Sequence, residues 1–102
     1  MIELRTYTLV DADALRRYTT EFWPRHARSL RKHDITIHGL WVDTSADGYQ
    51  VVALVGYPSD GARQRVVDGY LHSSDFDEDH AGFDPGIVVA VRSAILAPIA
   101  GV

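Results

Sequence analysis

Polar and apolar positions alternate over the first nine residues and then change period. In Ile2-Glu3-Leu4-Arg5-Thr6-Tyr7-Thr8-Leu9 a two-residue period puts Ile2, Leu4, Thr6 and Thr8 on one face of a strand and Glu3, Arg5, Tyr7 and Leu9 on the other. Both faces are occupied, so the sheet is expected to be covered on both sides. After Asp11, a good N-cap, the period lengthens to that of a helix from Leu15 to Lys32. Leu15, Tyr18, Phe22, His26, Ser29 and His33 fall in a sector of roughly 80° and form the buried stripe, while Arg16, Arg17, Glu21, Arg28, Arg31 and Lys32 lie mostly outside it. Pro24 removes the hydrogen bond to the Thr20 carbonyl and predicts a kink or break near Phe22-Trp23.

Two further strands, Ile35 to Thr44 and Tyr49 to Tyr57, are joined by Ser45-Ala46-Asp47-Gly48, whose turn chemistry favours an antiparallel hairpin. Pro58-Ser59-Asp60 opens a second helix carrying Val66, Val67, Tyr70 and Leu71, and Ser73-Ser74-Asp75 caps a short helical turn running into His80. The last strand, Ile87 to Leu96, is apolar almost throughout, as expected of a strand covered on both faces. Strand, helix, strand, strand, helix, strand is the split βαβ order of α+β ferredoxin-like folds, with a four-stranded antiparallel sheet. Helices cover one face of such a sheet. The other face calls for an apolar cover, most simply a second copy packed sheet to sheet, so a homodimer is expected.

A chain of 102 residues has room for one domain, residues 1–102. A net charge of −4 without a basic patch argues against nucleic acid. The absence of cysteine excludes disulfides, zinc thiolates and a cysteine nucleophile. No apolar run reaches the ~18 residues of a membrane span and no signal peptide is evident, so no membrane association and a cytoplasmic location are expected.

The chemistry-bearing residues gather on the first strand and first helix. His26 interrupts the apolar stripe just past the proline. It is either a core histidine satisfied by a neighbour or an acid–base group titrating near neutral pH. His33, near the helix end, reads as a cap. Tyr18, Phe22, Trp23 and Trp41 are the surface a flat organic molecule would meet, and His38 points either into the same cavity or to the dimer face. Arg5 and Tyr7 share a strand face. A buried Arg5 needs a carboxylate, Glu3 or an acid from the 75–79 segment, or else it serves as a clamp for an anion or enolate. Asp75-Phe76-Asp77-Glu78-Asp79-His80 imitates the start of a calcium loop, yet His80 replaces the required glycine and Gly86 the required glutamate. His72, Asp79 and His80 are poorly spaced for a transition metal, so no metal is expected. Without a glycine-rich phosphate loop or a nucleophile elbow, no cofactor is expected either.

The opening Ile2-Glu3-Leu4-Arg5-Thr6-Tyr7-Thr8-Leu9, a long first helix with a histidine in its second half, and Phe76-x-x-Asp79-x-Ala81-Gly82-Phe83-Asp84 ahead of a strand ending Leu96-x-Pro98 resemble the NIPSNAP family of the dimeric α/β barrel superfamily. The resemblance covers nearly the whole chain. It implies a homodimer with a ligand cavity between the sheet and the helices of each subunit, in a superfamily that includes cofactor-independent monooxygenases and isomerases. Function is analogy at this level. The expectation is a small enzyme of monooxygenase, isomerase or cyclase type acting by proton transfer on an apolar, aromatic or polyketide-like molecule. His26, Tyr18, Arg5 and Tyr7 would be catalytic, with Phe22, Trp23, His38 and Trp41 binding substrate. The alternative is a dimer that only binds a small ligand, or a protein through its basic first helix.

Overall fold

The computed structural model describes residues 1–102. Its strands β1 (Ile2–Leu9), β2 (Thr36–Val42), β3 (Tyr49–Gly56) and β4 (Val88–Leu96) form one antiparallel sheet in the order β2-β3-β1-β4. Helices α1 (Ala12–Arg17), α2 (Trp23–Lys32), α3 (Arg63–Leu71) and α4 (Ser74–His80) cover a single face of it. This is the α+β ferredoxin-like fold. No helix is long and apolar enough to cross a membrane.

Local chemistry sets the element ends. The Asp11 carboxylate accepts the Ala14 N–H at 2.8 Å and starts α1, and the Ser73 hydroxyl accepts the Phe76 N–H at 3.4 Å and starts α4. Instead of a sharp kink ahead of Pro24, the chain makes a π-helical turn over Tyr18–Phe22, in which the Trp23 N–H bonds the Tyr18 carbonyl. Hydroxyls take up carbonyls along the widened turn: Thr20 donates to Arg16 O at 2.7 Å and Thr19 to Leu15 O at 3.0 Å. The second long helix begins at Arg63 rather than at Pro58, because Pro58–Ala62 is spent in turns.

Register decides which side chains face the helices. Glu3, Arg5 and Tyr7 pair with Val55, Ala53 and Val51 on one side and with Ile95, Ser93 and Val91 on the other, and this face carries the core. Ile2, Leu4, Val52, Leu54, Ala94 and Leu96 look the other way, where no second layer of this chain covers them. The last strand is therefore not covered on both faces within one chain: Val89, Val91, Ile95 and Leu96 are all substantially exposed along the β4 edge.

A register shift between Ile37 and Gly39 decides between the two sides open to His38. It turns His38 over Gly56 on the uncovered face, and Trp41 folds its ring over Gly39 on that same face, each glycine lying where a Cβ would collide with the ring above it. Neither residue lines the space under the helices, because the bulge reverses the phase of His38 and ordinary alternation keeps Trp41 outside.

Glu3 is fully buried in the centre of the sheet. Its Oε2 accepts from Arg63 Nη2 at 2.9 Å and Ser93 Oγ at 2.6 Å, and its Oε1 accepts the Tyr57 hydroxyl. Burial alone would raise its pKa, but the hydrogen bonds from Ser93, Tyr57 and Arg63 outweigh it and hold the carboxyl below its usual range. Removing a buried, paired charge leaves its partners stranded, so Glu3→Ala should cost roughly 3 to 5 kcal/mol, read from denaturant unfolding midpoints, with Glu3→Gln intermediate.

Candidate active site

The π turn determines what the first helix shows to the sheet. In a regular helix a residue five positions on sits about 140° round, and the wider turn shortens that offset. Tyr18, Phe22, Trp23 and His26 then share one buried face. Their rings interlock: Tyr18 stacks on Phe22 at 4.8 Å, Phe22 on His26 at 4.8 Å, and Trp23 meets Tyr7 edge-on at 5.8 Å.

His26 is held by groups from two other helices. Its Nδ1 lies 2.9 Å from the Tyr70 hydroxyl and 3.2 Å from Asp79 Oδ2, while Tyr70 donates to the same Oδ2 at 2.8 Å and Ser29 Oγ donates to Asp79 Oδ1 at 2.8 Å. Because the Tyr70 hydroxyl has one proton, which it gives to Asp79, the proton between His26 and this pair must sit on Nδ1. Nε2 then carries the lone pair, and the His26 ring lines a cavity. Arg25 anchors the end of α4 by donating to the Glu78 and Asp79 carbonyls at 3.5 and 3.3 Å, which holds the Asp79 carboxylate in place.

The cavity, of about 250 Å³, lies between the sheet and the helices and is lined chiefly by aromatic and aliphatic groups. Arg5, Tyr7, Tyr18 and His26 all open onto it, as do Phe22 and Trp23. A second pocket, of about 490 Å³, shares Tyr7, Tyr18, Phe22, Phe76 and His80 with it and runs on to Phe83, Ile87 and Val91 at the β4 edge. Burial raises both the Tyr7 and the Tyr18 phenol above its ordinary pKa, so both remain neutral donors. Burial likewise raises Tyr70, reinforced by its bond to Asp79, and Tyr57 is pushed up to about 12 by burial and the Glu3 carboxylate.

Arg5 departs from expectation. Glu3 is occupied by Arg63, Tyr57 and Ser93; Asp79 is occupied by His26, Tyr70 and Ser29; Asp75 pairs with Lys32 and His33, each at 3.0 Å. Arg5 has no carboxylate, and its guanidinium rests 5.2 Å from the Tyr7 ring centroid. His33 does occupy the C-cap of α2, but its ring is turned to Asp75 on α4 rather than to the helix carbonyls. His72 and His80 bond the Asp68 and Phe76 carbonyls while Asp79 points inward, so the three side chains do not converge.

Sequence reasoning missed the network behind His26. Ser29 sat on the apolar stripe and Asp79 in an acidic run, but nothing in the spacing tied them to Tyr70. The available signal was the polar pair His26 and Ser29, one turn apart on an apolar stripe, which demands a polar partner from whatever packs there.

The helix-covered sheet with one bare face defines a ferredoxin-like α+β protein. Solved structures share this fold. A NIPSNAP-domain protein from Burkholderia xenovorans superposes with a TM-score of 0.80 at 18% identity, over 99% of this chain and 96% of that one. A NIPSNAP family protein with unknown function from Agrobacterium tumefaciens gives 0.81 at 14% identity, over 95% and 86%. A dimeric ferredoxin-like protein from an uncultured marine organism gives 0.54 at 9% identity, over 96% and 89%. At these identities the likeness shows the fold alone. No match is found among curated proteins. The NIPSNAP family profile matches residues 2–101, and the chain belongs to that family.

Burial pushes His26 down to about 4, and the hydrogen bond and charge of Asp79 only partly oppose it. The folded protein therefore binds one proton fewer than the unfolded chain between pH 6.5 and about 4. Stability attributable to His26 is complete above pH 6.5 and falls as pH drops through that window, by on the order of 3 kcal/mol at most. Glu3, held low, adds a loss only below about pH 4.5. In urea titrations His26→Gln should flatten the limb between pH 6.5 and 4.5 and leave the steeper one below it.

Proposed function

We propose that this protein is a homodimeric, cofactor-independent enzyme that takes an aromatic or polyketide-like small molecule into the cavity and acts by proton transfer at His26. The observation that carries this reading is a histidine on the wall of an aromatic cavity whose Nδ1 contacts Asp79 and Tyr70; an Nδ1 proton given to Asp79 leaves the lone pair on Nε2. In such a step Nε2 accepts a proton from a phenol or an enolisable carbon, Asp79 stabilises the imidazolium, and the oxyanion left behind is met by the Tyr7 and Tyr18 hydroxyls within the field of Arg5. Isomerases, cyclases and cofactor-free monooxygenases share that first step. Burial keeps His26 neutral at pH 7, the state in which Nε2 can accept a proton.

Deuterium exchange into 2-tetralone, a flat ketone with an acidic benzylic position, reads this chemistry without knowledge of the substrate. NMR should show exchange well above the buffer rate, falling by about 10²-fold or more in His26→Ala. Unchanged exchange in that variant would remove His26 from the mechanism. Docking through the basic helix is the weaker reading, because Arg16, Arg17, Arg25 and Lys32 are already engaged within the chain.

The dimer rests on the bare sheet face. Trp41 is 53% exposed and Leu96 41%, beside Leu4, Val52, Leu54 and Ala94 on the same side. An apolar sheet face of this kind is costly in water and self-complementary across a two-fold axis. Light scattering should give a dimer mass at micromolar concentration, and Trp41→Asp with Leu96→Asp should shift it to the monomer. A monomeric parent would overturn the assignment.

A further inference from the structure

We propose that the molecule this cavity takes is a planar aromatic monocarboxylate, with Arg5 as the group that binds its carboxylate. This rests on the reading of the cavity as a ligand site. Arg5 projects from the middle of β1, the second strand in from the sheet edge, between Glu3 and Tyr7 and beneath the helices. Its Nε is sealed from water without a hydrogen-bond partner, and no carboxylate stands within ion-pair distance of the guanidinium. The acids that might have neutralised it are committed elsewhere: Glu3 to Arg63, Ser93 and Tyr57, Asp79 to His26, Tyr70 and Ser29, and Asp75 to Lys32 and His33. A guanidinium against an aromatic wall, with no ion-pair partner and only the longer-range pull of Glu3, keeps charge to spare, and an incoming anion takes it up.

The chemistry of the anion follows from what surrounds Arg5. Only this one cation on the wall is uncommitted, since Arg63 on the same wall is tied to Glu3. One positive charge balances a carboxylate and leaves a phosphate dianion half-neutralised. The planar fork of the guanidinium matches the two oxygens of a carboxylate. The remaining walls, formed by Tyr7, Tyr18, Phe22 and Trp23, offer ring faces and edges to an aromatic body. Tyr7 and Tyr18 line the same space with neutral phenols, which an oxygen substituent on the ring would meet.

The test compares 3-hydroxy-2-naphthoate with its neutral isostere 3-hydroxy-2-naphthamide by fluorescence titration of the full-length protein. The wild type should bind the acid about 10- to 100-fold more tightly than the amide. Arg5→Gln should erase that preference while leaving amide affinity within a few-fold of wild type, and Arg5→Lys should keep part of it. The acid-to-amide ratio in the wild type alone decides the matter if either variant fails to fold. Equal binding of acid and amide would overturn the carboxylate assignment and leave the cavity reading standing. Binding of neither at millimolar concentration, together with no exchange of 2-tetralone, would overturn both.

Discussion

The Asp79 carboxylate lies out of water among three helices, and the arrangement of the cavity depends on satisfying it. A lone carboxylate in that position would cost several kcal/mol. Its donors come from α2, through Ser29 and His26, and from α3, through Tyr70, while α4 supplies the acid itself. No two of these helices can slide without breaking one of the bonds. The same set of bonds fixes the tautomer of His26, so the geometry that keeps α4 in place also leaves one imidazole nitrogen free at the cavity wall. Structural and chemical demands on Asp79 are met by one arrangement.

Pro24 shapes the other wall. A proline in a continuous helix removes a donor and crowds the preceding turn. The chain accommodates it by widening the turn before it, and Thr19 and Thr20 satisfy carbonyls there. The extra residue brings Trp23 inward beside Phe22, so the aromatic lining of the cavity is a consequence of how the backbone absorbs the proline. A regular helix would place Trp23 well round from Tyr18 and leave a gap under the sheet.

Period and turn chemistry made the fold legible. The switch from two-residue alternation to helical spacing after Leu9, the Ser45–Gly48 connection and the apolar final strand specify the split βαβ order, and the terminal motifs narrow it to a family. His26 was legible as a site residue for a similar reason, as a titratable group on an apolar stripe. Strand phase alone leaves the side taken by His38 open between cavity and dimer face, and a bulge, a local register event with no strong sequence signature, turns it to the bare face; Trp41 keeps plain alternation and faces away from the helices, so it is not a cavity residue. The partners of His26 were not legible, since Asp79 stands 53 residues away and only tertiary packing makes them neighbours.

Arg5 shows how charge pairing in a fold can prepare a site. Glu3 and Arg5 sit two residues apart on one strand face, so a pattern argument pairs them. In the folded chain Glu3 already has three donors, from Tyr57, Arg63 and Ser93, and those bonds outweigh the cost of its burial. A carboxylate with both oxygens occupied gains little from a fourth donor, whereas Arg5 released from it keeps its charge for the cavity. The pairing of Glu3 with Arg63 thus does two jobs: it closes the centre of the sheet and leaves the neighbouring guanidinium open. An otherwise apolar cavity thereby acquires one fixed positive charge on its sheet wall and one imidazole lone pair on its helix wall, the two groups a proton-transfer site needs to take a proton and hold the charge left behind.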